Sequence, residues 1–150
     1  MDTYFDLGRN SFPVTTQSNE AQTWFDRGIL WTYGYNHEEA ITCFERAINA
    51  DPKCAMAHWG AGYAAGPNYN MPWDLFDYAG RAAAARAGYS HARKALDLID
   101  GVTGWEAALI HALQARHPQP DPLDPKAMKA WNADFADAMR DVFIAHPESH

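Results

Sequence analysis

Polar side chains able to bind or catalyse gather at two places in this sequence. His37 is followed directly by Glu38 and Glu39, and the block from Trp59-Gly60 through Gly66-Pro67-Asn68-Tyr69-Asn70-Met71-Pro72-Trp73 sets two amides among aromatics and prolines. If His37, His58, Asn68, Asn70 and Trp73 converged, they would form a small-molecule or metal pocket. The amides would hydrogen-bond the ligand, and the indoles of Trp59 and Trp73 would wall it. The competing reading is structural: Asn side chains satisfy loop backbone groups and cap the following helix. Ligand spacing does not support a metal centre, since neither His-Glu-x2-His nor Cys-x2-Cys occurs and ligands would have to converge from separate hairpins. His37 then reads as a first-turn residue, with Glu38 and Glu39 complementing the positive end of a helix dipole. Cys43 and Cys54 read as small buried thiols. Arg81, Arg86, Arg93 and Lys94 form a solvated face with no Gly-rich phosphate loop, and there is no Gly-x-Ser-x-Gly elbow. No catalytic residue, metal or cofactor is assigned, and the role expected is non-catalytic.

Composition sets what can position these groups. The chain has 150 residues, 47% apolar and 13% aromatic, enough for one folded domain with a core of its own. Twelve Lys and Arg against 19 Asp and Glu give a net charge of −7, which makes nucleic acid and anionic membrane poor partners. The charge-free stretch Cys54 to Trp73 is interrupted by Gly66-Pro67-Asn68 and Asn70, unlike a membrane span. The opening residues Met1 to Asp6 have no basic or apolar region of a secretory signal, so the expected location is cytoplasmic.

Punctuation then divides the chain into helices. Pro13 and the β-branched run Val14-Thr15-Thr16 predict an extended N-terminal arm over residues 1–17. Trp24, Gly28, Trp31 and Tyr35, with Phe25 and Ile29 beside them, recur at helical spacing and predict a first helix over about 19–34, capped by Ser18 or Asn19. Asn36 with Glu39 is an Asn form of the capping box opening a second helix, about 37–50, which Asp51-Pro52 stops. A third helix is expected over about 53–65, then a long alanine-rich helix or helix pair from Pro72 to about Ile99. Thr103-Gly104-Trp105-Glu106 is a capping box for a helix over 103–116, with Ala107, Ile110, Leu113 and Gln114 as its face. The proline-rich stretch His117 to Pro122 is a stiff connector, and Asp124-Pro125 starts the last helix, to about Ala145. No segment alternates with period two, so the fold class is all-α, with about six to seven helices.

Residues 21–54 carry Trp24-x2-Arg27-Gly28-x2-Trp31, then Ala40-x3-Phe44-x2-Ala47, then Pro52. In spacing this resembles the tetratricopeptide repeat (TPR), departing from it at Arg27 and Trp31. Gly28 and Ala40 are small where two helices of a hairpin must approach, and Trp24, Trp31 and Phe44 fill the space beside them. Thirty-four residues on, Gly62 repeats Gly28, while the Ala-x3-large pattern returns only at Ala92 and Leu96, after an insertion. Phe135, Met139, Val142 and Pro147 repeat the intervals of Ala40, Phe44, Ala47 and Pro52. The resemblance implies a TPR-like antiparallel hairpin array, an α-solenoid over residues 18–150. Its units would be about 21–54, 55–101 with insertion 66–84, and 102–150. The blocks Tyr35 to Ala40, Ala55 to Gly60 and Gly66 to Asn70 are similar to those of microbial TPR-domain proteins of no assigned activity. Those relatives are longer, so this chain is expected to be an N-terminal portion. In such an array the first helices line a concave groove, here with Gln22, Phe25, Ile29, Tyr33, Met56, Trp59 and Tyr63, suited to an apolar protein or peptide segment unless the arm fills it. The expected function is therefore a protein-binding scaffold. The broad stripe Trp131, Phe135, Met139, Val142 and Phe143 on the last helix predicts self-association.

Overall fold

The computed structural model describes residues 4–148; residues 1–3 of the expected arm and 149–150 at the other end lie outside it. Among the described residues there are six α-helices: α1 (Asn19–Tyr33), α2 (His37–Ala50), α3 (Ala55–Ala65), α4 (Tyr78–Asp97), α5 (Gly104–Arg116) and α6 (Pro125–Ala145). A single 3-10 turn, Trp73–Leu75, precedes α4, and among the described residues there is no strand beyond one isolated antiparallel bridge, Asn68 with Met71. No described helix is long and apolar enough to cross a membrane.

Local chemistry accounts for most boundaries. Ser18 Oγ accepts from the Ala21 amide, Asn36 Oδ1 from that of Glu39, and Asp124 Oδ1 from that of Lys126, each satisfying a first-turn donor. Thr103 and Glu106 form the reciprocal capping box that the sequence predicts. The box at Asn36 is only half made, because the Glu39 carboxylate accepts from the Tyr4 hydroxyl at 2.6 Å and the Asn36 amide donates to the Trp31 carbonyl. The larger departure lies after α3. A helix from Pro72 is not formed: Pro72 and Phe76 are extended, and α4 begins only at Tyr78, where Asp77 caps the Gly80 amide at 2.6 Å. Once Asp77 offers this cap, the helix starts there rather than at the proline.

Successive helices pack on one another from α1 through α6, and α3 also touches α1 and α5. Phe44 on α2 is fully buried between two glycines, Gly28 on α1 and Gly60 on α3. A Cβ at either glycine would fall 2.5 or 2.4 Å from the Phe44 ring, so the absent side chains are what let three helices close on one aromatic. Gly62 meets the α4 backbone at Ala92 and the Leu113 side chain on α5. A second cluster, Trp73, Ala85, Met128 and Trp131, fastens the loop after α3 to α6. Much of the α6 stripe expected to lie open is thereby used within the chain: Trp131, Phe135 and Val142 are buried, and Phe143 and Ile144 remain at the surface. The face of α5 is broader than expected, since Leu109 and Ala112 are buried along with Ile110 and Leu113, while Ala107 and Gln114 are only half-buried.

Candidate functional site

A largely apolar cavity of about 740 Å³ lies beneath the N-terminal arm. α1 contributes Phe25, Ile29 and Tyr33 at four-residue intervals, so that one helix face looks into it. α3 adds Met56 and Trp59, α5 adds Trp105, Glu106 and Leu109, α6 adds Met139, and Ser11 to Val14 of the arm close one side. Five of the seven groove residues expected from the sequence therefore line one space. The other two have different work. Gln22 ties down the arm, and Tyr63 lies behind the wall, stacked on Trp59 with ring centroids 5.4 Å apart. Trp59 is itself embedded, with its indole N–H donating to the Leu109 carbonyl at 3.1 Å, whereas Tyr33 is 76% exposed and stands free at the mouth.

Residues 4–17 form neither helix nor strand, and the arm narrows the groove without filling it. The Gln22 amide serves it as a neighbouring strand would: its Oε1 accepts from the Val14 amide and its Nε2 donates to the Phe12 carbonyl, both at 3.0 Å. Asp26 accepts from the Phe12 amide at 2.9 Å. Further along, the Glu106 carboxylate accepts the amide and hydroxyl of Thr15, each at 2.6 Å, and also the amide and hydroxyl of Thr103. Burial pushes the Glu106 pKa upward, but these four donors outweigh burial and hold it below the usual carboxylate value. Of the two acids lining the cavity, Glu106 is thus saturated, and Glu148 lies exposed beyond the end of α6; the rest of the wall is mainly apolar.

At its other end the arm docks on the far side of α1. The Tyr4 hydroxyl accepts from the Trp31 indole at 2.6 Å, and Arg27 lies over the Tyr4 and Trp24 rings, 4.5 Å from each centroid. Burial and the neighbours Cys43 and Glu39 raise the Tyr4 pKa.

The second constellation expected from the sequence is dispersed. His37 is half-buried in the first turn of α2, with burial lowering its pKa. Asn68 Oδ1 accepts from the Asn70 and Met71 amides, an Asx turn, and Asn70 is exposed. Trp73 is fully buried against Trp131 and Phe76. His58 faces α4, where its Nδ1 lies 3.3 Å from that of His91. Among the described residues no three of His, Cys, Asp and Glu are grouped to hold a metal ion.

Sequence reasoning missed the α5 wall, Trp105 and Leu109, although their four-residue spacing was there to be read. It also missed Arg116 and His117 as interior groups. Arg116 donates to the Tyr63 carbonyl in the last turn of α3 and to the Pro67 carbonyl beyond it, and lies over the Tyr63 and Phe135 rings, and burial lowers its pKa to about 10. Gly66 leaves the room its guanidinium occupies. Comparison with protein-family models, curated proteins and solved structures finds no match to this chain.

Proposed function

We propose that the chain is a TPR-like stack of helix hairpins that binds an apolar protein segment in the cavity beneath its arm. The observation that carries this reading is the cavity itself: large apolar side chains from α1, α3 and α5 converge on one space that the chain's own core leaves unfilled. Its volume of about 740 Å³ falls within the roughly 300–1,000 Å³ of binding clefts, enough for a few large side chains of a partner. The hairpin reading is supported by the pairing of α1 with α2 and α3 with α4, by the contacts of α3 with both α1 and α5, and by the insertion of Phe44 between Gly28 and Gly60. A saturated Glu106 and rigid aromatic walls favour apolar anchors over a charged tail.

The test uses short apolar peptides selected against the parent protein, with affinity followed by fluorescence anisotropy. Tyr33→Ser removes a ring at the mouth that is 76% exposed, so stability should change by no more than about 0.5 kcal/mol. Affinity should fall by about 1–2 kcal/mol. Tyr69→Ser, at a ring 89% exposed and outside the cavity, should leave affinity unchanged. Equal binding by the Tyr33 variant and the parent would remove the cavity as the docking place.

A further inference from the structure

Across the α3–α4 contact, away from the cavity, two imidazoles meet beside closely packed alanines. His58 on α3 is 7% exposed and His91 on α4 is half-buried, while Ala61, Ala92 and Ala95 beside them are fully packed. Their Nδ1 atoms are 3.3 Å apart. That is within reach of a hydrogen bond between the two rings, with the donor set by the tautomer. It also equals the separation of two nitrogens on one tetrahedral ion: with bonds of about 2.05 Å and an angle near 109°, the edge is about 3.3 Å. The rings lie at the base of an open pocket of about 540 Å³ rimmed by Tyr89, Ser90, Arg93, Lys94 and Asp97, which gives an ion an entry path.

We propose that His58 and His91 form a binding site for a divalent transition cation of zinc-like geometry, coordinated by both Nδ1 atoms with water in the remaining positions. Imidazole pairs favour this class over magnesium or calcium, which require oxygen ligands. Among the described residues no further His, Cys, Asp or Glu is grouped with the pair, so the coordination sphere stays open towards the pocket. Burial, with His91 and Lys94 nearby, lowers the His58 pKa to about 4; burial lowers that of His91 too, against the pull of Glu45 on α2. Arg93 and Lys94 on the rim oppose a cation, and Asp97 and Glu45 offset them.

Zinc ion titrated into the parent protein by calorimetry should bind saturably at one site per chain. Long-range nitrogen–proton NMR of the imidazoles should then show coordination shifts at two histidines only. His91→Gln removes the more accessible ligand and should weaken binding by more than the roughly 10–100-fold that loss of an outer-shell partner costs. His111→Gln, exposed on α5, should bind as the parent does. Circular dichroism confirms that each variant is folded, and the NMR arm on the parent stands even if His91→Gln does not fold. Absence of saturable zinc binding, shifts at other histidines, or unchanged affinity in folded His91→Gln would overturn the assignment.

Discussion

His117 shows how much a single side chain can be made to carry. It is 1% exposed, its Nε2 sits 2.8 Å from the Gly62 carbonyl, and its Nδ1 has no hydrogen-bond partner, so the ring is held neutral with Nε2 as donor. Burial, with the Arg116 charge beside it, pushes the pKa down to about 3, and that of His58 falls to about 4. An unfolded histidine takes its proton near pH 6.5, so on acidification the unfolded chain binds protons that the folded one refuses. Stability should therefore fall as pH drops below about 6.5, by about 1.4 kcal/mol per pH unit for each of the two histidines. Between pH 7 and pH 5 that is about 2 kcal/mol each, a large share of a typical 5–15 kcal/mol total. Glu106 acts in the same direction but later. Its folded pKa is depressed, so its contribution is complete above the unfolded value and is lost only as pH falls through the folded one. His117→Gln keeps a donor for the Gly62 carbonyl and removes the titration. Urea denaturation at pH 7 and pH 5 should show its loss of stability to be smaller than the parent's by about 2 kcal/mol. None of this could be read from the sequence, where His117 opens a run of prolines and looks like part of a connector. Its burial depends on Gly88 of α4 leaving space for the ring, a relation across 29 residues that no local pattern records.

At the scale of elements, helix ends were legible because their causes are local. Ser18, Asn36, Asp51-Pro52, Thr103 with Glu106, and Asp124-Pro125 each act within four residues, and each marks a boundary in the structure. The stretch from Pro72 to Asp77 was misread because Pro72 is compatible with a helix start and Asp77 is a better one. Which glycine meets Phe44 was only half legible. The repeat placed Gly28 at a close approach with Phe44 beside it, but nothing in it marked Gly60, the second glycine against the ring; Gly62, the repeat counterpart of Gly28, meets α4 and α5 instead. Gly60→Ala separates two opposing effects. Alanine should raise helix propensity by about 1 kcal/mol, but its Cβ would lie 2.4 Å from a buried ring, an overpacking that costs about 1–3 kcal/mol. The clash should win, lowering the melting temperature by several degrees. Gly104→Ala, whose Cβ would meet only His146 at 3.8 Å, should not lower it.

At the scale of the whole molecule, the arm joins parts that the helix order keeps apart. Gln22 and Asp26 hold it to α1, Thr16 bonds Asp51 at the end of α2, and Thr15 bonds Glu106 on α5. Glu106→Gln should replace an acceptor by an amide that faces donors, costing about 2 kcal/mol. Hydrogen exchange at the Thr15 amide should accelerate by more than the global loss of stability explains, because the arm lifts before the helices separate. The non-helical arm was legible from Pro13 and the β-branched run after it, but its destination was not, since the glutamate that receives it is the same residue that completes a local capping box. That double duty also sets a schedule. Thr15 precedes Glu106 by 91 residues, and at a ribosomal pace of about 5–20 residues per second the strap waits roughly 5–18 s for its buckle to be made. During that interval the newborn chain carries Phe25, Ile29 and Met56 with neither arm nor α5 fastened over them. Of all stages in the protein's life, this is when a chaperone has most to grip.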